Sequence, residues 1–205
     1  MELSLVIQAG GESRRMGKDK ALVDFCGRPL VQYVLNRLDG LAKEIIITTN
    51  RPEDFTFTGA RLAGDVFPGR GAAGGLYSAL FSASKPAAAV IGCDMPFASK
   101  TLFLRLLDLM EEGDFDVAMP SSLNGLEPLH SVYRPQTCIQ PIWRTLSAGQ
   151  NKMIAFLPLV RARILSMEET AEFDPEFRMF HNINTPADIT LAEEMLRDDP
   201  LLGIP

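Results

Sequence analysis

The sequence has few of the residues that form metal and disulfide sites. Its 205 residues include only three cysteines and two histidines. Cys26, Cys93 and Cys138 are too far apart for CxxC metal or redox spacing, and their odd number suits a reducing compartment, so a cytoplasmic location is expected. His130 and His181 lack the partner spacing of a zinc site. We interpret both as packing or polar-contact residues.

Positive charge and long apolar runs are also scarce. Twenty Lys and Arg against 26 Asp and Glu give a net charge of −6, which argues against a nucleic-acid partner bound through a broad basic face. A small anionic ligand needs only a local cationic patch. The apolar stretch near the start of the chain has no basic leader and is far shorter than the roughly 20 residues that span a bilayer. No membrane association is expected.

Apolar, β-branched runs alternate with helical patterns along the chain. The runs predict strands at residues 3–9, 44–49, 87–93, 115–119, 128–133 and 160–165. The helical patterns lie at residues 30–41, 76–84, 100–110, 135–146, 152–157 and 186–196, with Pro29 at a first helical position. This alternation predicts an α/β fold, a three-layer α/β/α sandwich with a mostly parallel, Rossmann-like sheet. Residues 1–205 are expected to form a single domain, with 199–205 as a flexible tail.

The loop at residues 8–20, QAGGESRRMGKDK, combines three glycines with four cationic side chains. Backbone amides at glycines can approach phosphate oxygens, and Arg and Lys donate charge-assisted hydrogen bonds to them. It is not a Walker A loop, because Glu12 and Asp19 stand where Gly and Ser or Thr are required, and it contains no GxGxxG. These residues favour a phosphate-binding loop over a simple polar turn between a strand and a helix.

Asp94 directly follows the predicted strand at 87–93. An Asp in this position is most often a turn former or a helix cap. Ligands in open α/β sheets bind beyond the carboxyl ends of the strands, so the loops after residues 9, 50, 65 and 94 should share one crevice. A carboxylate facing a phosphate loop there is what Mg²⁺ on a triphosphate needs, and we expect Asp94 to bind that metal. The neighbouring Cys93 is interpreted as a small buried hydrophobe rather than a nucleophile.

Several segments resemble the MobA-like nucleotidyltransferases. The loop AGGESRRMGKDK is similar to the family signature LAGGxSxRMGxDK, with Gln8 in place of the leading Leu. Further along the chain, CDMP resembles the family's CDxP, residues 127–133 resemble a segment on the acceptor side of the cleft, and NINTP resembles NxNTPxD. The PGPLxG loop is matched only in part, because Ala72 and Ala73 replace its Pro-Leu. The resemblance extends from residue 3 to about residue 196, in the family's order.

The resemblance implies roles for individual residues. The Gly-rich backbone would wrap the triphosphate, Lys20 would bind phosphate, Arg15 would neutralise charge nearby, and Asp94 would hold Mg²⁺. Asn50 and Asp65 fall where the family reads the purine base, although both residue types also form turns. The predicted catalytic residues are Arg15, Lys20 and Asp94, and the predicted nucleotide-binding residues are Gln8, Ala9, Gly10, Gly11, Lys20, Asn50, Asp65 and Asp94. Asn184 either approaches the metal or substrate, or caps the helix that follows it.

The AGG form of the loop resembles the branch of the superfamily that makes the guanylated molybdenum cofactor. The implied reaction transfers GMP from GTP to molybdenum-molybdopterin and releases pyrophosphate, with Mg²⁺ as the cofactor. GTP and a molybdopterin-type acceptor are then the expected partners, together with transient contacts to other proteins of molybdenum cofactor synthesis. Two alternatives stay open: a sister cytidylyl- or uridylyltransferase that reads a pyrimidine, and a regulatory module that binds nucleotide without turnover.

Overall fold

A computed structural model of the protein describes residues 1–10, 19–199 and 202. Its strands are β1 Leu3–Gln8, β2 Asp24–Phe25, β3 Arg28–Pro29, β4 Glu44–Thr48, β5 Arg61–Ala63, β6 Ala87–Gly92, β7 Val117–Ser122, β8 Gly125–Leu126, β9 His130–Tyr133 and β10 Ala162–Leu165. Its α-helices are α1 Leu30–Arg37, α2 Gly71–Ser82, α3 Lys100–Gly113, α4 Pro135–Ser147, α5 Met167–Ala171 and α6 Pro186–Asp198.

One mixed sheet organises the molecule, with its strands in the order β5-β4-β1-β6-β9-β7-β10. Parallel pairing joins β1 to β4 and β6, β4 to β5, and β7 to β10. Strand β9 runs antiparallel to both of its neighbours, β8 adds an antiparallel pair to β7, and β2 and β3 form a separate hairpin. The chain leaves β1 to build β4 and β5 on one side and then crosses to β6 on the other. The strand order therefore reverses beside β1, where open α/β sheets bind their ligands.

Helices cover both faces of this sheet. On one face α1 and α3 pack against alternate residues of β1, among them Leu5 and Ile7. On the other face α2 and α4 pack against Val6 and the equivalent residues of neighbouring strands. Strands buried on both faces read as continuous apolar runs rather than alternating ones, which is why the sequence reveals them. The predicted α/β sandwich with a mostly parallel sheet is confirmed.

Helix α2 begins five residues earlier than predicted, at Gly71 rather than residue 76. The glycines that indicated a loop lie in the first turns of α2. Glycine occurs there because neighbouring atoms leave little room for a Cβ. A Cβ on Gly74 would stand 2.7 Å from the Cβ of Arg70, and one on Gly75 would stand 3.1 Å from the Gln8 side-chain oxygen Oε1. Close approach to these neighbours, rather than a turn, is the reason for glycine at both positions.

Other boundaries also differ from the predictions. Pro29 is the residue before α1 and has an extended ψ of 138°, so the helix starts one residue after the predicted position. The helix predicted at 152–157 is wrong: turns lead into a short 3₁₀ helix at Leu157–Leu159, where Pro158 removes a backbone donor. Strand β5 and the β2–β3 hairpin were not predicted, because strands of three residues or fewer have no readable periodicity.

Of the tail predicted at 199–205, the structure describes Asp199 and Leu202. Asp199 lies 3.1 Å from the Arg178 guanidinium. Leu202 is buried, and its carbonyl accepts a hydrogen bond from Arg37. The remaining tail residues lie outside the described part of the chain, so the tail stays a prediction. Among the described helices, none combines the length and the apolar character required to cross a bilayer.

Candidate active site

The carboxyl ends of four neighbouring strands lie along one edge of the sheet. At the end of β1, Gln8 is in register with Thr48 of β4 and Gly92 of β6, and Thr48 is in register with Ala63 of β5. The chain continues this alignment past the strands, because the Ala9 amide donates to the Thr48 carbonyl at 2.9 Å. The structure therefore brings Ala9 and the loops after residues 50, 65 and 94 to the same edge, whereas residues 11–18 of the first loop lie outside the described part of the chain.

Lys20 is held at this edge by a short turn of 3₁₀ helix, Lys20–Leu22. Asp19 caps the turn: its side-chain oxygen Oδ1 accepts from the Ala21 amide at 3.0 Å. Ala21 is fully buried in the core below. A cap and a buried anchor on either side of Lys20 fix where its side chain begins.

The Lys20 ammonium joins two residues that are distant in sequence. Its nitrogen Nζ donates to Asp94 Oδ2 at 2.5 Å and to Asn184 Oδ1 at 2.7 Å. The Lys20 and Asp94 side chains are each 18% exposed, so the pair is largely buried but still in contact with solvent. The cluster offers a cation, a carboxylate and an amide oxygen beside the strand-order reversal. These groups suit a phosphorylated ligand and a hard metal ion.

Neighbouring residues determine where the Asp94 side chain and backbone lie. A Cβ on Gly92 would lie 2.4 Å from Asp94 Oδ1, so a larger residue at 92 would displace the carboxylate. The Asp94 carbonyl also accepts from the Ile183 amide at 2.9 Å. This backbone hydrogen bond attaches the NINTP segment to the end of β6 and brings Asn184 to the site.

The capping role considered for Asn184 belongs to Thr185. The Thr185 hydroxyl accepts from the Asp188 amide at 3.3 Å, while Asp188 Oδ2 accepts from the amides of Asn184 and Thr185, each at 2.8 Å. These backbone hydrogen bonds, from Asn184 first, lower the pKa of Asp188. Because this capping box completes the start of α6, the Asn184 side chain is directed to Lys20 instead.

The two residues predicted to read the base differ in their surroundings. Asn50 follows β4 by two residues and is exposed. Asp65 is half-buried, and its Oδ1 accepts from the Phe67 amide at 3.0 Å and lies 2.6 Å from the Ser78 hydroxyl. Sequence reasoning did not find Ser78. No local pattern links a serine in α2 to a carboxylate 13 residues earlier.

The remaining predicted binding residues belong to the first loop. Ala9 is buried and Gly10 is exposed, whereas Gly11 and Arg15 lie outside the described residues. The Gln8 amide nitrogen Nε2 is buried and has no hydrogen-bond partner among the residues that the structure describes. A Leu, as in the family signature, would bury no amide at this position.

Two other residues near the site, a histidine and a cysteine, are buried in environments that disfavour a catalytic role. The His130 ring is fully buried and stacks on Phe103 at 4.4 Å between centroids, and burial lowers its pKa to about 3. Burial, and then the charge of Asp94, raise the pKa of the Cys93 thiol, so its reactive thiolate is disfavoured. Within the described ranges, no three His, Cys, Asp or Glu residues come together as a metal site. Any metal at Asp94 would need ligands from elsewhere.

A mostly parallel α/β sheet with the Lys20–Asp94 pair at its strand-order reversal has the architecture of Rossmann-like proteins, which bind their ligands at that position. The profile of the MobA-like NTP transferase domain matches residues 5–162. The chain belongs to this family.

Similar proteins extend the match to nearly the whole chain. The "Probable molybdenum cofactor guanylyltransferase" of Pelotomaculum thermopropionicum is 35% identical, over 93% of this chain and 91% of that protein. The "Molybdenum cofactor guanylyltransferase" of Desulfosudis oleivorans is 32% identical, over 94% and 95% respectively. A solved structure, molybdopterin-guanine dinucleotide biosynthesis protein A from Archaeoglobus fulgidus, has a TM-score of 0.80 at 25% identity, over 95% of this chain and 99% of that one.

Proposed function

We propose that the protein is a Mg²⁺-dependent guanylyltransferase that transfers GMP from GTP to molybdenum-molybdopterin and releases pyrophosphate. The observation that carries the proposal is the Lys20–Asp94–Asn184 cluster at the strand-order reversal. It lies in a chain that aligns almost end to end with relatives named molybdenum cofactor guanylyltransferase. The alignment points to the reaction, and the cluster supplies groups suited to it.

The donor set at the cluster fits Mg²⁺ that arrives with a nucleotide. Mg²⁺ prefers oxygen ligands, and in nucleotide enzymes it takes one or two from carboxylates and the rest from phosphates and water. Asp94 would be the protein ligand, with the Asn184 amide oxygen close enough to Lys20 to share the site. When bound, Mg²⁺ would neutralise charge on the reacting phosphates and on the departing pyrophosphate.

Lys20 would donate to the triphosphate, exchanging the Asp94 carboxylate for a phosphate oxygen. A phosphate offers the same charge-assisted hydrogen bond that Asp94 accepts in the structure. Arg15, outside the described residues, is our second cation for this role. Because transfer to the terminal phosphate of the acceptor needs no covalent enzyme intermediate, placement and neutralisation of charge are the main contributions of these residues.

Asp65 would select the base. Guanine presents two donors on one edge, N1–H and the N2 amine, and a carboxylate oxygen accepts hydrogen bonds from such donors. Adenine and cytosine do not present this pair of donors. With Oδ1 already bonded to the protein, Asp65 Oδ2 is the atom we assign to guanine, and Asn50 is a second contact at the same edge of the sheet.

The experiment that tests the proposal measures pyrophosphate release with each of the four nucleoside triphosphates, with and without molybdopterin and with and without Mg²⁺. Release is expected with GTP only when both molybdopterin and Mg²⁺ are present. Release with CTP or UTP instead would favour the sister transferases that read a pyrimidine. GTP binding without release under any of these conditions would favour a regulatory module.

A cytoplasmic location is part of the proposal. Cys26, Cys93 and Cys138 are all free thiols, and Cys26 is exposed. Free thiols persist in reducing compartments, which supports the cytoplasm. Other proteins of molybdenum cofactor synthesis would be met there as transient partners.

A further inference from the structure

Ser78 of α2 lies beneath the loop that carries Asp65. It is only 1% exposed. Its oxygen Oγ accepts a hydrogen bond from the Val66 amide at 2.9 Å and lies 2.6 Å from Asp65 Oδ1 and 2.9 Å from the Gly74 carbonyl. One buried hydroxyl therefore connects the helix to the backbone and to the side chain of the loop.

A serine hydroxyl has one proton, so it cannot donate to Asp65 and Gly74 at once. Hydrogen bonds from a hydroxyl to a carboxylate are the shorter and stronger kind, at about 2.5–2.7 Å. The 2.6 Å contact to Asp65 has this length, whereas the 2.9 Å contact to the carbonyl four residues earlier is an ordinary back-bond within a helix. The Ser78 proton therefore belongs with Asp65.

Two donors from the protein then converge on one oxygen of Asp65. Oδ1 receives the Ser78 hydroxyl and the Phe67 amide. No described residue donates to Oδ2, and the carboxylate is only half-buried. With Oδ1 fixed at two points, the carboxylate plane cannot turn freely, and Oδ2 keeps one direction.

We propose that Ser78 is a positioning residue for base selection: its hydroxyl fixes the Asp65 carboxylate so that Oδ2 meets the N1–H and N2 amine of guanine. The inference rests on the proposed function, because it assigns Asp65 to the base. Without the hydroxyl, Asp65 rotates and exchanges its protein partner for water. The Asp65 carboxylate then accepts hydrogen bonds from guanine and from other bases with less discrimination between them.

The test compares GTP with inosine triphosphate, which differs from GTP only in lacking the N2 amine. Titrations in Mg²⁺ give the ratio of the two dissociation constants and need no acceptor. We expect wild type to prefer GTP about tenfold, the effect of one lost hydrogen bond to a charged group. Ser78→Ala should reduce the preference to about twofold or less. Ser78→Thr, which keeps a hydroxyl, should restore most of it.

Ser82→Ala is the matched control, because Ser82 lies one turn further along α2 and its hydroxyl donates to the Ala79 carbonyl at 2.8 Å. This variant should keep the wild-type preference. Loss of a hydroxyl that only stabilises the helix would weaken both nucleotides alike and leave the ratio unchanged. If Ser78→Ala does not fold, Ser78→Cys keeps the side-chain size with a weak donor, and the same loss of preference is expected.

Asp65→Asn separates failure of this inference from failure of the proposed function. If wild type and Asp65→Asn bind the two nucleotides with the same ratio, Asp65 does not read the base, and both assignments are overturned. If Asp65→Asn loses the preference but Ser78→Ala and Ser78→Cys retain it, only the positioning role is overturned. Loss of preference in all three variants, with recovery in Ser78→Thr, supports the proposal.

Discussion

Lowering the pH from 7 to 5 is expected to destabilise the protein through one core residue, His130. Its ring stacks on Phe103 and meets Phe180 edge-on at 5.3 Å. Among the described residues, the ring nitrogen Nε2 hydrogen-bonds only to the backbone of Ser99, with the amide at 3.4 Å, and none of them offers a carboxylate to stabilise an imidazolium. Burial therefore lowers the pKa of His130 to about 3.

The sign and size of the effect follow from the two states. In the unfolded chain a histidine has a pKa of about 6.5, so below that pH the unfolded state binds a proton that the folded state excludes. The stabilisation from neutral His130 is complete above about pH 6.5 and is lost as the pH falls toward 3. At pH 5, one and a half pH units below the unfolded pKa, the loss is about 2 kcal/mol.

Urea denaturation at pH 7, 6 and 5 measures this loss. His130→Gln should lose about 2 kcal/mol less than wild type between pH 7 and pH 5, whatever its stability at pH 7. Contributions from carboxylates are common to both proteins and cancel in the comparison. His181→Gln removes the other histidine and controls for the loss of an imidazole as such. Equal free-energy losses in wild type and His130→Gln would refute the assignment of the acid sensitivity to His130.

Three substitutions test other contacts. Asp94→Asn is expected to abolish Mg²⁺-dependent transfer with little change in the melting temperature, because it removes charge at constant size; normal turnover would rule out the metal assignment. Lys20→Ala should slow transfer about 100-fold or more, and unchanged rates and GTP affinity would contradict its phosphate role. Although burial alone would raise the pKa of Glu44, hydrogen bonds from Ser4 and Ser84 lower it to about 2. The stabilisation from ionised Glu44 is present above about pH 4.5 and lost as the pH falls toward 2. Glu44→Gln should therefore show a flatter acid unfolding curve by circular dichroism in that range. A curve for this variant identical to that of wild type would count against the role of Glu44.

The central strands were predictable from sequence because their environment is uniform. Strands β1 and β6 are covered by helices on both faces, so most of their residues are apolar and the runs can be recognised from the sequence alone. The start of α2 was not predictable in this way. Gly74 and Gly75 have the composition of a loop, and only their distances to residues 67, 70 and 8 show that a helix needs glycine there.

Some residues of the site could likewise be predicted from the sequence, and others could not. Lys20 and Asp94 could be identified because the first loop and the CDMP segment are contiguous patterns. Ser78, Gly92 and Thr185 act through contacts that depend on where other segments fold. The sequence shows that each is small or polar but gives no reason to assign these contacts to it.

With the proposed function, the Lys20–Asp94 contact would relate phosphate binding to metal binding through one carboxylate. Asp94 Oδ2 accepts from the Lys20 ammonium in the structure, and a cation bound to the same oxygen would compete with that ammonium. In the proposed reaction Asp94 would take up Mg²⁺, and Lys20 would exchange this acceptor for a phosphate oxygen of the nucleotide. A triphosphate alone would draw Lys20 away and leave the carboxylate beside negative phosphate oxygens, which is unfavourable. We therefore expect that, with the proposed function, metal and nucleotide together would replace the Lys20–Asp94 contact, and that the metal–nucleotide complex would be bound better than either ligand by itself.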